Sequence, residues 1–394
     1  MTHWPDLSER LAALLPELIE VRHDLHQHPE LGFEEKLTQE KVMKWLSDHG
    51  FEPRTCAETG VIADLHPGEP PALALRADLD ALPIHETTDL PYRSVHDGVA
   101  HKCGHDGHTT IMLGVAAILG AARDGLSANV RLLFQPAEEG VRGGGAKVMV
   151  QEGAMEAVPE VYGLHNWPGM PKGCVQVKAG PVMAEVDNFT VNIHGVGGHG
   201  SQPNKCKDPI AAGSQIVTAI QTVVSRNLGA LEAGVVSVCS FQAGAANNVI
   251  PGTARLLGTI RTFDRSTRQT IHESLTRVVE GVGQAMSVRA DLEIQPHYPA
   301  LVNDEGCAAA VARVASRVLP DLQVREDLLP LFASEDFSYF AEQAPGAYFF
   351  LGAGLAGQDT PGCHHPEFDF DDDLISQGVT MFLGLVEDRL LRTA

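Results

Sequence analysis

Between Phe189 and Gln295 the hydrophobic pattern of this chain leaves one regime and enters another. Ahead of that point, strand-like apolar runs alternate with helix-length ones. Leu7, Leu11, Leu14, Leu18, Val21 and Leu25 recur at helical spacing and give a first helix that ends near His28-Pro29. A second helix follows over about 34–49, with Gly50 suited to its end. Residues 72–77 read as a buried strand, 109–122 as a helix, 129–135 as a strand stopped by Pro136, and 161–164 as a further strand. Such alternation predicts an α/β domain with a largely parallel sheet. The middle reads differently. Residues 189–194 alternate as a strand, and Asp208-Pro209 looks like an N-cap with proline at the first helical position, opening a helix to about Asn227. Strands follow at 235–242 and 254–261, then a helix capped by Ser266 and carrying Ile271, Leu275, Val278 and Val282, then a strand at 288–295. The order β-α-β-β-α-β is the ferredoxin-like arrangement. The expected fold is therefore α/β: a domain over 1–184 and 299–394, interrupted by a small α+β domain inserted at 185–298.

A chain of 394 residues with 44% hydrophobic content can build two such cores. Its 29 basic and 51 acidic residues leave a net charge of −22, which disfavours nucleic acid and anionic membrane surfaces as partners. Seven cysteines, at 56, 103, 174, 206, 239, 307 and 363, form no Cys-x-x-Cys pair, and their odd number argues for a reducing compartment. Met1 to Trp4 carry no basic residue, and no apolar run is long enough to span a bilayer, so a cytoplasmic protein is expected.

Metal-competent residues gather in five short segments, mostly where strands should end, which is where open α/β sheets bind ligands. In His101-Lys-Cys-Gly-His-Asp-Gly-His108 a single glycine separates Cys103 from His105, so both side chains can converge on one ion. A thiolate with an imidazole suits Zn²⁺, Mn²⁺, Co²⁺ or Ni²⁺ better than Ca²⁺ or Mg²⁺. Taken alone, the same residues describe a buried cysteine in a histidine-rich loop. Glu138 and Glu139 close a strand in Gln135-Pro-Ala-Glu-Glu-Gly140. Of two such carboxylates one can ligate metal while the other handles a water's proton; a solvated acidic turn is the plainer reading. His165, in Gly163-Leu-His-Asn-Trp167, would ordinarily be a satisfied core or loop histidine, and Cys363-His364-His365-Pro366 an ordinary surface loop. Asp78 and Asp80, read as sharing one strand face, could orient ligating histidines or merely serve a turn. Together the segments hold the inventory of a two-metal hydrolytic site.

Eight segments occur in order, within a resemblance that spans about residues 20–385: RADLDALPI, HKCGHDGHTT, QPAEEG, GLHNW, GGHGSQP, NNVIP, SEDF and CHHPEFDF. With them the chain resembles the aminoacylase-type metallopeptidase family, in its branch of hippurate hydrolase and auxin-conjugate hydrolases. The resemblance implies a metal-binding catalytic domain with an inserted lid or dimerisation domain. It implies two divalent transition-metal ions (Mn, Zn, Co or Ni) held by Cys103, His105, Glu139, His165 and His364, with Cys103 bridging and Glu138 as catalytic base. His364, rather than its neighbour His365, fits the ligand position of the family pattern. His199 is implied to reach a partner subunit's site and stabilise an oxyanion, and Asn248 and Arg261 to contact a substrate carboxylate. Ser334 of the SEDF segment matches a helix start, where an N-cap role is the simple reading. The expected activity is hydrolysis of the amide bond of an N-acyl amino acid, a small-molecule substrate, by a homodimer or higher homo-oligomer. Deacetylation of N-acetyl-diaminopimelate or dipeptide cleavage on the same scaffold, and a metal-dependent binding protein without turnover, are the alternatives.

Overall fold

The computed structural model describes Trp4 and residues 6–126, 128–355, 357 and 359–393. Met1 to His3, on which the reading of the N-terminus bears, lie outside the described residues. The fold is mixed α/β, and the chain divides into two compact units. One comprises Met1–Val182, Val302–Leu329 and Asp336–Ala394; the other comprises Met183–Leu301 and Pro330–Glu335.

The first unit is built on an eight-stranded sheet. Its order is Arg54–Cys56, Gly60–Asp64, Asn129–Gln135, Pro71–Asp78, Val161–Pro171, Gly346–Gly354, Cys174–Gln176, Gln323–Arg325. The four strands from Asn129–Gln135 to Gly346–Gly354 run parallel and are almost wholly buried. The sheet is less parallel than its pattern suggests, because Arg54–Cys56, Gly60–Asp64 and Asn129–Gln135 pair antiparallel, as do Gly346–Gly354 and Cys174–Gln176. Connection length accounts for the first of these pairs: the turn at Ala57 and Glu58, both with positive φ, joins Arg54–Cys56 directly to Gly60–Asp64 and can serve only antiparallel neighbours, whereas parallel ones need a long crossover. Those crossovers are helices. His105–Ala122 is buried along nearly its whole length, apolar on all faces from Ile111 onward, and packs against both Leu7–Gln27 and Asp373–Thr393. Leu18, Ile111, Val115, Val379 and Phe382 belong to that core.

The second unit is a four-stranded antiparallel sheet in the order Gly234–Ala243, Thr253–Thr262, Glu185–His194, Arg289–Pro296. Helices Pro209–Asn227 and Arg265–Ala285 supply Ile216, Ile220, Ile271 and Leu275 to a core with Phe189, Val191 and Ile193, the alternate residues of one strand face. Asp208 caps the first helix, accepting from the Ile210 and Ala211 amides ahead of which Pro209 has none to offer. The second helix departs from the expectation for Ser266. Its N-cap is Asp264, which accepts from the Thr267 amide, and the Ser266 hydroxyl donates to the Asp264 carboxylate. A carboxylate two residues upstream outcompetes the hydroxyl because it can accept several such bonds at once.

Candidate metal centre

Parallel strands deliver their C-terminal ends to one edge. Asp78 pairs with Gln135 in register, and Asp78 and His165 each lie two residues beyond the Arg76–Gly163 pair. Asp80 falls just past the strand rather than on it. Cys103 and His105 reach the same edge through Gly104, whose φ of 99° is left-handed, and a Cβ there would sit 2.2 Å from Asn166 Oδ1. Only glycine allows both that turn and that approach.

The donor atoms of Cys103, His105 and His165 lie within 4.8 Å of one another, and so do those of Cys103, Glu139 and His364. Cys103 belongs to both groups. A third group joins His105, Glu138 and Glu139. His105 and His165 each present a nitrogen freed by a bond on the other side of the ring. His105 Nδ1 is 3.2 Å from Asp80 Oδ1, while its Nε2 is buried with no hydrogen-bond partner. His165 uses Nδ1 on the Asn166 carbonyl, leaving Nε2 at 3.3 Å from Cys103 Sγ. Glu139 Oε1 is likewise buried without a hydrogen bond, 3.1 Å from His364 Nε2. Satisfied polar interiors rarely leave such atoms orphaned, whereas cation ligands oriented from behind look like this. Thiol, imidazole and carboxylate together fit transition-metal dications.

His364 stands in a left-handed conformation, φ 69°, uncommon for a side chain of its size. Its amide donates to the Lys102 carbonyl at 2.6 Å, and its side chain faces Glu139. His365 turns away: its Nδ1 accepts from the Glu367 amide at 3.1 Å.

The local field splits the histidines. Burial opposes charge on His105, but Asp78, Asp80 and Glu139 outweigh it and push it up to about 10. Burial and the neighbouring His108 and His105 hold His165 well below the usual range, so it is neutral. A hydrogen bond with Cys363, burial and the Glu138–Glu139 pair keep the Cys103 thiol well above its usual range until a cation offsets them.

Several supporting residues escaped the sequence reading. Glu35, buried, accepts from the Ala137 amide at 2.9 Å and from the Thr59 hydroxyl, pinning the turn in which Ala137 has φ 52° and from which Glu138 and Glu139 project. Asp336 holds the same turn from another side through Gln135 Nε2, at 2.7 Å, and the Ala146 amide. Lys102 Nζ donates to Glu86 and to the Phe368 carbonyl, tying the Cys103 loop to the His364 loop. His26 and Arg22 reach Asp106, on the first turn after His105, from the first helix. Asp80 does more than expected, since its other oxygen accepts from the Glu139 amide at 3.0 Å. Asp78 does something else: it binds His108 Nδ1 at 2.7 Å and Arg76, and only its far edge faces His105 Nε2, at 3.8 Å. Lys102 and Asp106 lie within the His101–His108 segment and Asp336 within SEDF, whereas Glu35, Glu86, His26 and Arg22 are single polar residues on other elements that carried no signal.

Within the second unit, Gly198–His199 pairs with Val249–Ile250, which brings Asn248 beside His199. His199 is exposed, and its Nδ1 accepts from the Ser201 amide at 3.1 Å, so the neutral ring carries its proton on Nε2. Arg261 is half-buried, with Nη1 3.4 Å from Ser334 Oγ. Ser334 caps no helix; the one that follows is the short Ser338–Ala341, which has no side-chain cap.

A parallel sheet edge that gathers cysteine, histidine and carboxylate donors with orphaned atoms defines a metallohydrolase. Residues 74–388 match the model of the peptidase family M20/M25/M40. The chain belongs to that family and is an amidohydrolase. It is 41% identical to the N-acetylcysteine deacetylase of Bacillus subtilis (strain 168), over 93% of this chain and 95% of that one. It is 36% identical to the hippurate hydrolase of Campylobacter jejuni, over 94% and 98%. The crystal structure of the Bacillus subtilis YXEP protein, a dinuclear metal binding peptidase from the M20 family, superposes with a TM-score of 0.82 at 36% identity, covering 95% of this chain and 98% of that one. No helix among the described residues is long and apolar enough to cross a membrane.

Proposed function

We propose that this chain hydrolyses the amide bond of N-acyl amino acids, using two divalent transition-metal ions held by Cys103, His105, Glu139, His165 and His364. The observation that carries this reading is the membership of Cys103 in both donor groups, the relation expected of a thiolate shared between two ions. Bound there, the ions supply Lewis acidity toward a carbonyl and lower the pKa of water. Glu138 takes the proton of the attacking water and delivers it to the departing amine. His199, with its proton on Nε2, donates to the oxyanion as it forms. Asn248 and Arg261 bind the substrate carboxylate, and the unit that carries them serves as lid and dimerisation domain. Relatives whose names specify N-acetylcysteine and hippurate, both acylated amino acids, support the substrate class.

Strand register favours a homodimer. Thr253 pairs with His194 and Arg261 with Val186, and the His199–Val249 bridge follows at the Thr253 end. Eight strand residues span about 27 Å. His199 and Arg261 of one chain are thus tied to opposite ends of that strand, an arrangement that suits His199 of one subunit and Arg261 of another meeting at one small substrate.

The test is metal analysis of the purified chain with turnover on hippurate, N-acetylcysteine, other N-acetyl amino acids, an acetylated diamino acid and a dipeptide. The reading expects two ions per chain, loss of activity on chelation, recovery with Mn²⁺, Zn²⁺, Co²⁺ or Ni²⁺, and preference for acyl amino acids. Full activity in metal-free protein, or turnover of dipeptides alone, refutes it.

A further inference from the structure

We propose that Cys103 and Cys363 form an oxidative modification site, a thiol pair that a peroxide converts to a disulfide inside the metal-ligand cluster. The His364 amide donates to the Lys102 carbonyl at 2.6 Å. That bond joins the peptide just ahead of Cys103 to the peptide just after Cys363, so the two cysteine backbones lie side by side. A disulfide spans Cα atoms about 4.4–6.8 Å apart, a separation that neighbours joined in this way can reach. The side chains agree: the Cys363 thiol donates toward the Cys103 carbonyl at 3.9 Å, which sets its sulfur against the Cys103 residue. Gly362, ahead of Cys363, is exposed with open space around it, so the segment can adjust as the bond forms. All seven cysteines are free in this structure.

Cys363 is half-buried and Cys103 buried, so the oxidant meets Cys363 first. Its sulfur attacks the peroxide O–O bond, giving a sulfenic acid and one water. The Cys103 sulfur then displaces hydroxide from that sulfenic sulfur, and the hydroxide leaves with the Cys103 proton as a second water. Two electrons pass from the thiols to the peroxide, and a dithiol reductant returns them. The bond consumes the one sulfur common to both donor groups, so the oxidised chain should take up no metal. This last consequence rests on the proposed ligand role of Cys103; formation of the bond does not.

The experiment treats full-length metal-free protein, wild type and Cys363→Ser, with hydrogen peroxide, blocks remaining thiols by alkylation, and maps peptides by mass. In the wild type a linked peptide joining Cys103 to Cys363 is expected, with metal uptake lost and then regained after reduction. In Cys363→Ser, Cys103 should advance to sulfinic and sulfonic acids with no recovery. Wild-type protein without the linked peptide, whose Cys103 over-oxidises as fast as in the variant, overturns the proposal. A linked peptide that forms equally fast in metal-loaded protein upholds the thiol pair and refutes the ligand role of Cys103.

Discussion

Asp80 is the residue through which the metal centre can be loosened without touching a ligand. Its carboxylate accepts from His105 Nδ1 at 3.2 Å and from the Glu139 amide at 3.0 Å, so one buried group aims one proposed ligand and holds the backbone of another. Asp80→Asn keeps size and shape but offers one carbonyl acceptor and one amide donor. Whichever way the amide turns, one of the two donors faces an NH₂ group and goes unmet. A buried donor left without its acceptor costs about 1–3 kcal/mol. If that cost falls on the metal-loaded geometry, affinity weakens roughly 10–100-fold, since about 1.4 kcal/mol is a factor of ten. Flipping the amide gives no escape, because both bonds serve the same centre. The assay is competition for metal against a calibrated chelator, with circular dichroism to confirm that the fold survives. Wild-type metal affinity in a folded Asp80→Asn protein would refute the reasoning and reduce Asp80 to a turn residue.

Three further outcomes are expected. Glu139→Gln should lose metal, because a neutral amide is a poor ligand, whereas Glu138→Gln should keep its ions and lose at least about 10²–10⁴-fold in turnover; metal stoichiometry beside kcat checks the pair, and the opposite pattern reverses the roles. Mixing inactive His199→Ala with inactive Glu138→Ala subunits should restore some activity, since a mixed dimer holds one site with both groups; no recovery despite demonstrated subunit exchange argues against action across subunits. Burial, with the nearby Asp80 charge, raises the Glu35 carboxyl from 4.5 to about 7, so the folded chain retains a proton that the unfolded chain gives up, and stability falls as pH rises from 4.5 through 7. Relative to wild type, metal-free Glu35→Gln should gain up to about 3 kcal/mol across that window, read from denaturant midpoints; a difference flat in pH would contradict the protonated Glu35.

What the sequence by itself determined follows from local rules. Helix periodicity located Leu7–Gln27, and the proline after Asp208 located the start of Pro209–Asn227, because caps and amphipathic faces are written within a few residues. The run from Cys103 to His105 and the adjacent Glu138 and Glu139 pointed to side chains that the structure gathers, for the same reason: their spacing is short enough to imply convergence. Tertiary structure decided what depends on residues far apart in the chain. It turned His364, which the motif had already favoured over His365, toward Glu139 through a left-handed backbone that no local pattern announces. It transferred the helix cap from Ser266 to Asp264 by competition between two acceptors. It gave Asp80 bonds to His105 and to the Glu139 amide, aimed Asp78 at His108, and brought Glu35 from the far side of the sequence to clamp the turn that carries Glu138 and Glu139. Hydrogen bonds of this kind are selected by burial, which turns each unmet donor into a cost, and burial exists only once the sheet has assembled.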